Sequence, residues 1–397
     1  MTTSLTIITA AWCTGWPEKR RKLSLSVTPW SVVNHKTAEK PRSHGWMRAL
    51  LVALLAVLVV GVGTVLVPRD AGKPQAVPFS DTARAEALSA SETLLGSALL
   101  LEGTTPGGAT AGETSAGNDV ADTVMLLTSQ AEALLPPSSS STSSAPSTAS
   151  PSPASKQDRP TTRATLVSSL SSSAFRRLAD AANADGGLAR LLAAVGTSQL
   201  LESSRLATAW GLPVPETTVV TTTAPTAPTS CPALPGASAT ASPPDSTRAD
   251  LAGALAAVVS SEQEAIYAYQ VALTKLDTKE SATAATWLDR HQELLRGAEA
   301  QGRLHCIATP PREAGYRLPD SFAAKPGAAL GSMEASSLTA YADLVALSEG
   351  QTRQWAINGL VDAAKRSQAW GTPVGPFPGL LIDKASLPSL ASPTRSP

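Results

Sequence analysis

Three residues in this chain combine chemistry with placement: Glu262, His291 and Glu334 each stand in a helical stripe that is otherwise apolar. Leu251, Leu255, Val258, Glu262, Ile266, Tyr269 and Leu273 follow one another at intervals of three and four, so they share one helix face with a carboxylate inside it. Glu334 shares a stripe with Leu330, Leu338, Tyr341 and Val345, and His291 with Trp287, Leu288, Leu294 and Leu295. Buried carboxylates around one imidazole can hold a divalent metal ion. They can equally hydrogen-bond one another and nearby Tyr269, Tyr341 or Arg366. Asp362 is a fourth candidate ligand by position, but the aliphatic stripe of its helix is Ile357, Leu360, Val361 and Ala364, and Asp362 lies to one side of it with Trp355 and Arg366.

An internal echo relates these residues. Glu262 precedes Tyr269 by seven residues and Glu334 precedes Tyr341 by seven, and each glutamate is followed by a helix with an early tryptophan, Trp287 before His291 and Trp355 before Asp362. The separations, 29 from Glu262 to His291 and 28 from Glu334 to Asp362, nearly match, as expected of two related helix hairpins. A di-iron bundle would need a glutamate from each of two helices and Glu-x-x-His from each of the other two. Here the residue three before His291 is Leu288, and the last helix has no histidine. The donors therefore suffice for at most one metal, held by Glu262, His291 and Glu334 with or without Asp362, and a purely structural polar cluster is the competing reading.

Other chemistry finds no support. There is no phosphate-binding glycine loop, Cys-x-x-Cys, His-Glu-x-x-His or recognisable Ser-His-Asp set. His305 beside Cys306 reads as a loop residue, and Arg290, Arg296, Arg303, Arg353, Lys365 and Arg366 are interleaved with acids, as on a solvated surface. Lysine plus arginine (32) equals aspartate plus glutamate (32), so no basic excess points to nucleic acid.

The elements that must position Glu262, His291 and Glu334 are four helices. They are expected from Leu251 to about Leu276, with N-cap candidates over 245–250, and over about 281–302, 328–347 and 351–370, the last ending at Gly371 and Pro373. Prolines 310, 311, 319 and 326 mark a long middle connection between two short ones, the arrangement of a four-helix bundle with a crossover. AAVVSSEQEAIYAYQVAL, LDRHQELLRGAEAQG, EASSLTAYADLVAL and GLVDAAKRSQAWG with PFPGL together resemble a ferritin-like domain family of unknown function, found at the C-terminus of exported or membrane-anchored actinobacterial proteins. The resemblance spans about 248–381 and implies a ferritin-like four-helix fold. It carries no activity to any residue. LARLLAAVGTSQLLESSRLA resembles the alanine-rich region that often precedes this domain.

The rest of the chain reads as carriage for that bundle. The uncharged run from Ala49 to Val67 would reach roughly 28 Å as a helix, enough to span a bilayer. Lys19, Arg20, Arg21, Lys22, Lys36, Lys40, Arg42 and Arg48 precede it, against Arg69 and Lys73 after it, which places the N-terminus in the cytoplasm and the rest outside. A signal peptide starting at Met47 is the rival reading. Residues 1–48 are expected to be a disordered basic tail, and 79–211 an alanine-rich helical region (79–101, 119–135, 163–183 and 187–210) broken by a Ser/Pro linker at 138–160. Residues 212–247 read as a Thr/Pro-rich stalk, 248–383 as the bundle and 384–397 as a disordered tail. Outside the membrane, Cys231 and Cys306 could bridge, and two free thiols are the alternative. The expected protein is thus all-α, single-pass in the plasma membrane and without a cofactor. Its bundle would be a non-catalytic interaction or scaffold module of the cell envelope with a protein partner, and a single-metal-binding protein or metal-dependent oxidoreductase is the alternative.

Overall fold

Short polar residues at the right places start four of the helices. In the computed structural model, which describes residues 77–103, 111–136, 161–216, 231 and 249–390 together with Val52 and Leu54, the secondary structure is eight α-helices and one 3-10 turn, with no strand among the described residues. The upstream helices are α1 (Phe79–Gly103), α2 (Ala111–Leu134), α3 (Arg163–Ala181) and α4 (Gly186–Ala209). The downstream ones are α5 (Leu251–Ala272), α6 (Thr278–Leu304), α7 (Pro326–Leu347) and α8 (Gly350–Ala369). Asp185, Asp250 and Asp277 each accept a hydrogen bond from a backbone N–H in the first turn of α4, α5 and α6, and Thr162 with Thr165 forms a capping box on α3. α7 has no side-chain cap but begins with Pro326, whose missing N–H is no loss there.

α4 and α8 end alike. Each runs into Ala-Trp-Gly, with Gly211 at φ 64° and Gly371 at φ 79° in the left-handed region. The next residue's N–H then turns back to the helix, Leu212 to Ala207 O at 2.8 Å and Thr372 to Ser367 O at 2.9 Å. This double-bonded cap requires a residue that tolerates positive φ, and glycine does so without steric cost.

Packing divides the residues after 76 into two layers that share α4. α5 packs on α6 and α7, α7 packs on α8, and α6 meets α8, which closes a ring of four helices. α1 and α2 pair, α3 and α4 pair, and α1 also meets α3. α4 in turn lies against α7 and α8, so the upstream helices both associate with one another and cover the ring. Two close approaches fix this joint. A Cβ on Gly186 would come within 2.2 Å of Ala346 O, and the buried Arg353 guanidinium donates across the joint to Ala184 O at 2.6 Å as well as to Val345 O and Ser348 O at the end of α7. The segment after α8 folds back over α4 and α2. Ser198 donates to Gly375 O, Gln130 to Pro376 O and Arg190 to Gly379 O, while Phe377 is buried against Ala194 and Val195. The 3-10 turn, Lys384–Ser386, lies in the stretch expected to be a tail.

Cys231 and Cys306 form a disulfide with their Cα atoms 5.5 Å apart. No helix among the described residues is long and apolar enough to cross a membrane. The run from 49 to 67 lies outside the described residues except for Val52 and Leu54, as do the linker at 138–160 and all of 217–248 but Cys231.

Candidate functional site

All four helices of the ring send a polar side chain to one point in its interior. Glu262 and Tyr269 come from α5, His291 from α6, Glu334 and Tyr341 from α7, and Arg366 from α8. Glu262, His291 and Glu334 are each 1% exposed, and Tyr269, Tyr341 and Arg366 are wholly buried. The imidazole lies between the two carboxylates, with Nδ1 2.7 Å from Glu262 Oε2 and Nε2 2.8 Å from Glu334 Oε1. Tyr341 donates to Glu262 Oε1 at 2.7 Å, Tyr269 donates to Glu334 Oε1 at 2.7 Å, and Arg366 Nε donates to Glu334 Oε2 at 2.9 Å. Trp370, at the end of α8, donates its indole N–H to the Tyr269 hydroxyl at 2.7 Å.

The seven-residue spacing explains the crossing of these bonds. Seven residues of helix rise roughly 10.5 Å, which puts each tyrosine two turns from its own glutamate. Tyr269 reaches the glutamate of α7 and Tyr341 that of α5, and both reaches are met only if α5 and α7 run antiparallel with Glu262 level with Tyr341. Gly359 makes room for this, since a Cβ there would sit 2.1 Å from the Tyr341 ring. The aromatic walls continue outward, with ring centroids 4.8 Å apart for Tyr269 and His291 and 5.8 Å for Tyr341 and Trp355.

Electrostatically the network closes on itself. Burial alone would push the His291 imidazole down, but the Glu334 charge, the hydrogen bonds to both carboxylates and the Glu262 charge outweigh it and hold the ring above its ordinary 6.5. Burial would likewise push Glu334 up, and the charges of Arg366 and His291 hold it below its ordinary 4.5. Burial and the neighbouring carboxylates push both tyrosines up, so they stay protonated donors. A ring flanked by two carboxylates is best satisfied with a proton on each nitrogen. Two carboxylates are then balanced by the imidazolium and by Arg366, whose charge the two glutamates reinforce against burial. The Nη1 and Nη2 atoms of Arg366 find no acceptor among the described residues, so the guanidinium is held through Nε and by charge.

This donor set does not fit a metal ion as arranged. Both imidazole nitrogens and all four carboxylate oxygens already take part in hydrogen bonds, and a fixed guanidinium cation sits on one of the two would-be ligands. Among the described residues no group of three or more His, Cys, Asp or Glu side chains is disposed to hold a metal. Asp362 is not brought to the network. It stays half-buried at the edge of the network, where it accepts from Arg290, Nε to Oδ2 at 3.0 Å. His305 hydrogen-bonds Thr352, which donates to Gln301, and so ties the end of α6 to the start of α8.

Two basic residues expected on the solvated surface are interior. Arg353 is 5% exposed and Arg366 0%. For Arg353 the reason is the second layer, since its guanidinium reaches Ala184 O just before α4, whereas Arg366 is buried by the ring itself and faces Glu334 in its interior. Arg366 falls three residues after the buried Ala363 and seven after Gly359, a helical repeat that small residues carry without an apolar signal.

Residues 254–381 match the family described as "Domain of unknown function (DUF4439)". The match takes in every residue of the network. No curated protein and no solved structure matches the chain.

Proposed function

We propose that the chain is a membrane-anchored extracytoplasmic protein whose ring of four helices is a ferritin-like bundle of the actinobacterial kind, serving as a non-catalytic interaction or scaffold module of the cell envelope. The closed, charge-balanced network of Glu262, His291, Glu334 and Arg366 carries this reading. It occupies the place in the bundle core where a ferritin-like protein assembles metal ligands, and it fills that place with a cation of the protein's own. Two hairpins joined by the long segment 305–325, with a glutamate from α5, a glutamate from α7 and a histidine from α6, favour ferritin-like ancestry. The Cys231–Cys306 bridge suits an oxidising compartment. The basic flank before the apolar run of 49–67 orients the bundle outside the membrane.

The alternative is a single-metal site made of Glu262, His291 and Glu334, favoured by their convergence within 2.8 Å of one imidazole. Elemental analysis of the compact unit from residue 76 onward, before and after incubation with ferrous iron, manganese and zinc, separates the two. A folded, metal-free protein is expected. Stoichiometric metal that disappears in His291→Ala would overturn the reading.

A further inference from the structure

On the outer side of α5 and α6 a pocket of about 210 Å³, unrelated to the buried network, is closed by the loop that follows the disulfide. Its floor is Ile266 and Leu295, and one wall is the pair Tyr267 and Tyr316, with ring centroids 5.8 Å apart and planes inclined at 54°. The rim carries Gln270, Arg312 and Glu313, whose side chains are exposed and make no hydrogen bond or ion pair among the described residues. The loop is held in shape independently of them. Tyr316 accepts from the Glu313 N–H at 3.4 Å and donates to Gln263 Oε1 at 2.9 Å, while Gln263 Nε2 donates to Pro310 O at 3.2 Å. The pocket thus exists before any ligand arrives, and its rim polar groups are the ones not used to build it.

We infer that this pocket binds one neutral pyranose residue of a glycan. The volume is below the usual 300–1,000 Å³ of sites for drug-sized ligands and suits a single saturated ring. Arg312 and Glu313 cancel in charge, so neither an anion nor a cation is favoured. Instead the rim offers guanidinium donors, carboxylate acceptors and an amide that is both, the complement of a ring of hydroxyls that each donate and accept. The tyrosine wall supplies apolar surface for the C–H face of the sugar. A planar base is disfavoured, because rings inclined at 54° with centroids 5.8 Å apart leave no parallel slot to hold it. The pocket is open on one side, so further sugar residues of a chain can continue into solvent.

The inference gives the interaction role proposed above a ligand, and it fails separately from that role, since metal content and glycan binding are independent readouts. The test is saturation-transfer NMR and calorimetry on the full chain in a zwitterionic, sugar-free detergent, with chitotetraose and maltotetraose as probes and adenosine as the aromatic control. At least one tetrasaccharide is expected to bind saturably, with transfer strongest to the protons of one residue. Gln270→Ala and Arg312→Ala, both on the exposed rim, are expected to weaken it by about three- to tenfold each, the loss of one hydrogen bond, with the melting temperature unchanged. Absence of saturable binding by both saccharides, equal binding of adenosine, or binding indifferent to both substitutions would overturn the inference.

Discussion

Replacing Arg366 with methionine removes the permanent cation of the buried network while keeping much of its volume, so packing changes little and charge changes most. The guanidinium is wholly buried and bonds Glu334 Oε2 at 2.9 Å, and Glu334 is itself 1% exposed. Without it the two carboxylates share one imidazolium and the interior carries an uncompensated negative charge. Breaking a buried ion pair from one side costs about 3–5 kcal/mol. In a unit larger than 150 residues each kcal/mol moves the melting temperature by about 2–4 °C, so a fall of about 6–20 °C is expected. Thermal melts followed by circular dichroism read this directly. The double variant Arg366→Met with Glu334→Gln restores neutrality and should recover more than half of the loss. A single variant that melts within about 2 °C of the parent, or a double variant no better than the single, would refute the reasoning.

Stability should have a bounded pH window. His291 is held above 6.5 when folded, so its contribution is complete below about 6.5 and is lost as pH rises through the folded value. Glu334 is held below 4.5, so its contribution is present above about 4.5 and is lost as pH falls through the folded value. Urea midpoints measured across pH should therefore fall on both sides, and His291→Asn should flatten the alkaline limb. Gly359→Ala puts a methyl group 2.1 Å from the Tyr341 ring, and the displaced ring loses its bond to Glu262. A cost of about 2–4 kcal/mol is expected in denaturant titrations, against a few tenths for Gly211→Asn at a position with open space around it. Reducing the Cys231–Cys306 bridge, which closes a loop of 75 residues, should lower stability by about 4 kcal/mol, read as a shift in urea midpoint with and without dithiothreitol.

The helices were legible where hydrophobic periodicity and capping residues coincide, as at Asp250 and at the Ala-Trp-Gly ends, whereas α6 starts at Thr278 behind the cap Asp277, ahead of the expected 281. α2 begins at Ala111, and its first turns were missed in favour of a start at Asp119 because they contain glycine and no apolar stripe. The meeting of Glu262, His291 and Glu334 could be read from a polar residue standing in each stripe, and Asp362 could be seen to lie aside. The role of Arg366 could be raised only as one bonding option, because a charged residue flanked by lysine and serine looks exterior until its bond to Glu334 inside the ring is known. Trp370 was hidden for a related reason: it follows the last helical residue, and only the turn at Gly371 shows which way its indole faces.

The protonation of His291 is the most direct test of a self-neutralised interior. Residues 76–397 contain only two histidines, His291 and His305, so nitrogen-15 spectra of the imidazoles can be assigned with a His305→Gln variant. Near neutral pH His291 should show two protonated ring nitrogens, slow to exchange and unmoved by stoichiometric zinc or manganese. A neutral ring with one bare nitrogen, or a resonance that shifts or broadens on metal addition, would contradict it.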